Sequence, residues 1–202
     1  MKYEKVKIGE VCEFSRGLTY SKSDEVDLSK NIVLRATNID LSTYKLDLTE
    51  LRYIKDSVIV RQDKKIRKDD ILICTASGSK SHLGKVAYVE EELDMAFGGF
   101  MGVLRANENK VLSKYLFKNL ISNDFINHIL GLSDGANINN LKFSQIENFE
   151  ITLPPIDIQK SIVNRLDKVL VELDLALEAT QAKVLEISSL KQSLLKIVNY
   201  SK

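Results

Sequence analysis

Leu153-Pro154-Pro155-Ile156 is the stretch at which this sequence changes character. The chain has 202 residues, its only two prolines lie side by side here, and all nine glycines precede residue 136. A Pro-Pro pair cannot continue a helix, and it favours extended geometry in the residue before it. The pair therefore predicts that a new element begins directly after it.

Residues 156–199 are predicted to form one long helix. This range has no Gly, no Pro and no aromatic residue, and its seam positions follow one another at alternating spacings of three and four. Such spacing is typical of a coiled-coil heptad pattern, here with polar interruptions only at Thr180 and Lys183. Because globular helices average about 11–12 residues, we favour a coiled-coil arm. A core helix of the same domain is the alternative. The seam comprises Ile162, Leu166, Val169, Leu173, Ala176, Thr180, Lys183, Ile187, Leu190, Leu194 and Ile197.

Residues 1–153 predict a different architecture, in which short β-branched segments are separated by turn-forming residues. One helix is predicted from about Ser113 to Leu130, with Ser113 as its N-cap. The fold class is therefore α+β: a small, curved, mostly antiparallel β domain followed by one long coiled-coil-forming helix. The predicted strands are Ile32–Arg35, Ser57–Val60, Ile71–Cys74, Val86–Val89, Met101–Leu104 and Glu150–Leu153.

The sequence contains no complete catalytic motif, so we expect a binding protein without cofactor or metal rather than an enzyme. The segment 78–86 resembles a phosphate-binding loop, but its glycine spacing is wrong and Val86 stands where Ser or Thr is needed. Leu153-Pro154-Pro155-Ile156 lacks the polar and aromatic neighbours that amino-methyltransferases place around Pro-Pro. Cys12, Cys74 and the two histidines do not have zinc-ligand spacing.

Charge is balanced overall but unevenly distributed. Twenty-nine basic and 28 acidic residues give a net charge of +1, whereas residues 52–85 carry nine basic and four acidic side chains. This basic stretch suits phosphate contact or is a solvated charged surface. The hydroxyl-rich segment 75–82 and Asn137, Asn139 and Asn140 are candidates for base or phosphate contacts, or ordinary turn residues. No apolar run is long enough for a signal peptide or membrane span, which predicts a cytoplasmic protein.

The order of these pieces resembles one half of the DNA-specificity subunit of type I restriction-modification systems. The resemblance covers essentially the whole chain. Its most specific part is the junction at Leu153-Pro154-Pro155 followed by Asp157-Ile158-Gln159, although the family usually has two polar residues before this Gln. The matching stretches are Ile8–Thr19, Leu34–Ile39, Asp69–Ile73, Gly84–Ala87, Asn139–Ile146 and Ile151–Pro155.

The resemblance implies a target-recognition domain over residues 1–153 and a spacer and docking helix over residues 154–202. Double-stranded DNA is the implied ligand, and the implied partners are modification (methyltransferase) subunits and a restriction (motor-nuclease) subunit, which carry the chemistry. The family subunit normally contains domain and helix twice. Whether this single copy is a natural half-subunit or a fragment of a longer subunit stays open.

We predict that two copies pair through antiparallel helices and imitate the two-domain subunit; a parallel pair is the alternative. A protein-interaction or regulatory coiled coil without DNA binding is the second functional hypothesis. The predicted pairing residues are Ile162, Leu166, Val169, Leu173, Ile187, Leu190 and Leu194. The predicted DNA-binding residues are Arg16, Thr37, Asn38, Ser77, Ser79, Lys80, His82, Lys85 and Lys142.

Overall fold

The computed structural model describes residues 3–78, 82–133 and 140–199. The chain divides into two compact units, Met1–Lys160 and Ser161–Lys202. The first unit holds all the described strands and three short helices, and the described part of the second, residues 161–199, is the continuing long helix. The structural boundary thus lies a few residues after the Pro-Pro pair, because the first turn of the helix belongs to the first unit.

The described ranges contain ten strands and four α-helices. The strands are β1 (Lys5–Lys7), β2 (Cys12–Arg16), β3 (Glu25–Val26), β4 (Asn31–Leu34), β5 (Arg52–Ile54), β6 (Ile71–Cys74), β7 (Val86–Tyr88), β8 (Ala96–Phe97), β9 (Met101–Ala106) and β10 (Glu150–Thr152). The helices are α1 (Ser113–Leu120), α2 (Asn123–Ser133), α3 (Phe143–Glu147) and α4 (Ile156–Asn199).

Three sheets organise the first unit. The first has strand order β2-β9-β6-β7, the second β3-β5-β4-β8, and β1 pairs with β10 in a third. Every described strand pairing is antiparallel except that of β4 with β8. The prediction of an α+β fold with mostly antiparallel sheets and a long C-terminal helix is confirmed.

The main core lies where the two four-stranded sheets meet. Leu34 and Phe97 of the second sheet and Leu72 and Val103 of the first are fully buried in one apolar cluster. These strands are apolar on successive residues rather than alternating, as expected for strands covered on both faces. On the first sheet, α1 packs against β7 and β9. The sheets therefore form a fixed support for the loops at their ends.

The single helix predicted over 113–130 is wrong, because the chain breaks it at Ile121 and Ser122. The Ser122 hydroxyl accepts a hydrogen bond from the Phe125 N–H at 3.3 Å, which starts a second helix. The predicted N-cap is also wrong. Ser113 is the first helical residue, and its N–H donates to the Glu108 carboxylate at 2.9 Å.

The predicted strand Ser57–Val60 is not a strand in the structure. The Val58 N–H instead donates to the Lys55 carbonyl at 3.0 Å and closes a turn. Val58 and Val60 pack against the small cluster around Ile54. These β-branched residues are partly buried although they lie in a loop. Their propensity for strands alone does not distinguish such a loop from a strand.

The long helix predicted over 156–199 is confirmed with the same bounds. Most of its seam is exposed: Leu166, Leu173 and Ile187 are 41%, 59% and 65% accessible. None of the helices in the described residues is long and apolar enough to cross a membrane.

Candidate nucleic-acid interface

One end of the first sheet gathers several of the predicted DNA-binding residues. The register pairs Arg16 with Gly102 and Cys74 with Met101, so the ends of β2 and β6 lie beside the start of β9. The loops that continue from these ends form a common surface. We call this surface the loop edge; it comprises Arg16, Thr75–Gly78, His82, Phe100 and Asn140–Lys142.

Arg16 is held at the loop edge by an aromatic platform. Its guanidinium carbon lies 4.5 Å from the ring centroid of Phe143. That ring in turn stacks on Phe14, with 3.9 Å between centroids. Arg16 itself is exposed. A guanidinium over an aromatic ring is held by the cation–π attraction, and its N–H donors stay available for phosphate or guanine.

Lys142 reaches the same edge although it lies far from Arg16 in sequence. The Leu141 N–H donates to the Thr75 carbonyl at 2.7 Å, and Ala76 pairs with Asn140 in an antiparallel bridge. Asn140 and Lys142 are exposed. The segment before α3 is therefore laid along the loop that follows β6, which adds an amide and an ammonium to the loop edge.

The connection between β6 and β7 supplies Ser77 and His82, both half-buried. The His82 carbonyl accepts from the Lys85 N–H at 3.3 Å, which fixes the return of the loop into β7. The predicted contacts Ser79 and Lys80, and the candidates Asn137 and Asn139, lie outside the described residues. Thr37 is exposed on a different element, the 3₁₀ helix Ala36–Asn38 that follows β4 in the second sheet.

The prediction that Asn38 binds DNA is corrected, because this side chain is only 1% accessible. Its amide nitrogen donates to the carbonyls of Asp47 and Glu50 at 2.8 Å each, and its amide oxygen accepts from the Arg35 N–H at 2.9 Å. Through these bonds the buried amide satisfies three backbone groups. Asn38 ties a loop to the core and leaves the set of proposed contacts.

Lys85 is corrected for the same reason. It is 9% accessible, and its ammonium donates to the Ile39 carbonyl at 3.3 Å. Burial lowers the pKa of this ammonium from its usual range. Its stem and head group stabilise the interior between the two sheets, so Lys85 also leaves the set of proposed contacts.

Much of the basic stretch 52–85 is paired with acidic neighbours. Arg52 lies 3.0 Å from Glu25, Arg61 lies 3.0 Å from Asp63, and Lys65 forms an ion pair with Asp94. Paired surface charges present a weaker field to a polyanion than the sequence count suggests. For these residues the structure favours a charged surface with its own partners, and the loop edge replaces the stretch as the candidate interface.

Sequence reasoning missed two aromatic residues of this region, Phe100 and Phe143. Phe143 is the platform under Arg16, and Phe100 is exposed at the turn that precedes β9. Gly98-Gly99 is a sequence signal for Phe100, since two glycines mark a tight turn and Phe100 is the next residue. No sequence signal links Phe143 to Arg16.

The cysteines do not offer a reactive site. Both thiols are free, and burial with nearby Glu147 and Glu13 raises the pKa of Cys12 to about 12. Burial also raises the pKa of Cys74. Such thiols stay protonated and are poor nucleophiles. Within the described ranges, no group of three His, Cys, Asp or Glu side chains could hold a metal ion.

A model of the type I restriction modification DNA specificity domain matches residues 1–186 of this chain. The specificity subunit of the type I restriction enzyme EcoKI from Escherichia coli K12 is 36% identical over 170 residues, covering 83% of this chain and 36% of that protein. The StySPI specificity subunit from Salmonella potsdam is 33% identical over 183 residues, covering 89% of this chain and 38% of that protein.

Solved structures share the fold at lower identity. A chain from a structural study of type I R-M complex assembly has a TM-score of 0.67 at 19% identity, covering 90% of this chain and 41% of that chain. The HsdS subunit from Thermoanaerobacter tengcongensis has a TM-score of 0.61 at 20% identity, covering 88% and 39%. The present chain thus spans well under half the length of its relatives.

Proposed function

Because this chain belongs to the family of type I restriction-modification DNA specificity domains, we propose that it is the sequence-specific DNA-binding subunit of such a system. The observation that carries the proposal is the family match over residues 1–186. The loop edge adds physical support, since it gathers cations, an amide and an aromatic ring on one rigid sheet end. Residues 1–153 are the proposed recognition domain, and residues 154–202 the spacer and docking helix.

The proposed division of labour leaves chemistry to other subunits. This chain selects the site, modification subunits methylate it, and a restriction subunit cleaves. Burial raises the pKa values of the Cys12 and Cys74 thiols, so neither is proposed as a nucleophile. We place this activity in the cytoplasm, where the system would meet DNA.

Within the loop edge, the groups suit two kinds of contact. Arg16 and Lys142 carry exposed positive charge for phosphates, which would position the domain on the duplex. The Asn140 amide and the Arg16 guanidinium carry N–H donors of the kind that read base edges. Ser77 and His82 are further proposed contacts of the loop edge, and Thr37 is a proposed contact from the second sheet. Ser79 and Lys80 also remain proposed contacts.

We further propose that two copies pair antiparallel through α4. Most apolar seam side chains of one helix then face an apolar side chain of the other, so that much of the exposed apolar stripe is removed from water. Lys183 lies opposite Leu173, where its aliphatic chain can cover apolar surface while its ammonium group stays solvated. The pairs would be Ile162–Leu194, Leu166–Leu190, Val169–Ile187 and their symmetry equivalents. Such a dimer would present two identical recognition domains.

Replacing Lys142 by glutamine is expected to weaken binding to all duplexes alike and to reduce the slope of log affinity against log salt by about one. The reason is that a phosphate contact carries no sequence information. Gel shifts over a salt series, with and without modification subunits, measure this. Lys80→Ala is predicted to behave in the same way, and His82→Ala to weaken binding.

The matched control is Lys168→Gln, which removes the same charge from the long helix. An unchanged salt slope in Lys142→Gln, with Lys168→Gln behaving identically, would remove Lys142 from the interface. If the wild-type chain assembles with modification subunits and yet neither it nor the assembly shifts any duplex, the coiled-coil interaction module becomes the correct function.

A further inference from the structure

Phe100 is an exposed aromatic residue in the middle of the loop edge. Its side chain is 72% accessible. Single exposed apolar side chains are ordinary on soluble proteins, and Leu28 and Ile59 are comparable in exposure at 79% and 84%. Exposure alone therefore assigns nothing to Phe100. Phe100 differs from Leu28 and Ile59 in the hydrogen bonds that hold its backbone and in the elements that lie beside it.

The backbone at Phe100 is fixed from both sides. Its carbonyl accepts three hydrogen bonds, from the Thr75 N–H at 2.9 Å, the Ala76 N–H at 3.1 Å and the Thr75 hydroxyl at 3.1 Å. The turn is closed by the Met101 N–H, which donates to the Gly98 carbonyl at 2.8 Å. An aromatic ring on such a support loses little conformational entropy when it binds.

The turn over residues 98–101 also lies in close backbone contact with Gly17, the residue that follows β2. A Cβ atom on Gly17 would lie 1.9 Å from the Gly98 carbonyl oxygen, so only glycine allows this approach. The Gly17 N–H donates to the Met101 carbonyl at 3.1 Å. Arg16 therefore stands directly beside the turn that carries Phe100.

The elements that adjoin the Phe100 turn carry the cations and the amide of the loop edge. On one side of the turn lies Arg16 at the end of β2. On the other side lies Thr75, whose N–H donates to the Phe100 carbonyl and whose own carbonyl accepts from Leu141, between Asn140 and Lys142. An exposed ring beside two cations and an amide differs in composition from the apolar patches that dock other proteins. It is suited to a polyanion whose surface alternates charged phosphates with apolar base surface.

We propose that Phe100 is a base-contacting residue of the recognition domain, with its ring against base surface while the adjacent cations hold phosphates. This inference rests on the proposed DNA-binding function and names a residue that determines its specificity. A phenyl ring gains nothing from a phosphate, so its partners on DNA are thymine methyl groups and base faces. Its contribution is to discrimination between sequences and not to electrostatic attraction.

The test compares Phe100→Ala with the wild type, each assembled with modification subunits, on two duplexes. One duplex carries the site that the wild-type assembly enriches from a random library, and the other is a scrambled sequence of equal length. We expect affinity for the enriched site to fall by about tenfold to hundredfold. Affinity for the scrambled duplex and both salt slopes should stay unchanged. Ile59→Ala, an equally exposed apolar truncation elsewhere, should leave every value unchanged.

Phe100→Leu, which keeps apolar bulk, should retain part of the affinity for the enriched site. Equal affinities of Phe100→Ala and wild type, or an equal loss on both duplexes, would overturn the assignment of Phe100. Loss of modification-subunit assembly in the absence of DNA would also overturn it, by making the ring a protein contact. A wild-type assembly that enriches no sequence would instead refute the proposed function itself.

Discussion

Replacing Gln159 by leucine is expected to lower the free energy of unfolding by about 3 kcal/mol or more. Gln159 is fully buried. Its amide oxygen accepts from the Leu112 N–H at 2.9 Å, and its amide nitrogen donates to the carbonyls of Lys110 and Pro154 at 3.0 and 2.8 Å. Leucine would leave three backbone groups without these partners, each worth about 1–3 kcal/mol when buried. Urea denaturation followed by circular dichroism measures the loss.

Gln181→Leu is the control for this substitution, because it makes the same chemical change at an exposed position of α4. It should alter stability by less than about 0.5 kcal/mol. A loss of similar size in both variants, or no loss in Gln159→Leu, would mean that Gln159 does not join the start of α4 to the segment before α1. The result also bears on function, since this glutamine is part of the junction by which the family resemblance was identified.

Replacing Arg105 by methionine is expected to cost about 3–5 kcal/mol of stability. The Arg105 guanidinium donates through Nε to Asp70 Oδ1 at 2.9 Å and through Nη2 to Oδ2 at 3.1 Å. Asp70 is 2% accessible, so removal of its partner leaves a buried carboxylate uncompensated. The same denaturation measurement at pH 7 tests this expectation.

The stability of Arg105→Met is expected to depend on pH. Burial raises the pKa of Asp70 above its usual range even with Arg105 beside it. Without the guanidinium the pKa rises further, so the folded state favours the protonated acid more than the unfolded state does. Stability of Arg105→Met is therefore retained best near pH 4 and falls as pH rises above the unfolded pKa of Asp. A penalty that is equal at pH 4 and pH 8 would contradict the ion-pair explanation.

The double variant Arg105→Met with Asp70→Asn separates charge from packing. Asparagine can still accept from the Arg67 N–H, which donates to Asp70 Oδ2 at 2.8 Å, but it carries no charge to desolvate. The double variant should regain at least half of the stability that Arg105→Met loses. If the double variant regains nothing, the loss in Arg105→Met comes from the packing of the Arg105 stem and from the Lys65 carbonyl, which accepts from Arg105 Nη2 at 3.0 Å, and not from an uncompensated charge.

Local periodicity predicted the elements whose formation depends on their own residues. The helix over 156–199 has the bounds expected from its uninterrupted seam, and β6 was predicted residue for residue at Ile71–Cys74. The two-residue strands Glu25–Val26 and Ala96–Phe97 exist only through their pairing with distant segments. No local pattern of two residues could reveal them.

The candidate interface was predictable only in part, because side-chain type does not report burial. Asn38 and Lys85 have the chemistry of DNA contacts, yet their hydrogen bonds to backbone carbonyls make them internal braces. Conversely, Arg16 and Lys142 are brought to one edge by Phe143 and by the bond between Leu141 and Thr75. Such long-range contacts depend on the packed sheets and leave no trace in sequence spacing.

DNA recognition by this chain is tested by the selection of duplexes from a random-sequence library by the chain assembled with modification subunits. We predict enrichment of a defined sequence with two-fold symmetry, in which two identical short half-sites have centres about one helical turn, roughly 34 Å, apart. An asymmetric enriched site would contradict the antiparallel homodimer alone. Recovery of no preferred sequence by a correctly folded assembly would contradict sequence-specific DNA binding by this chain.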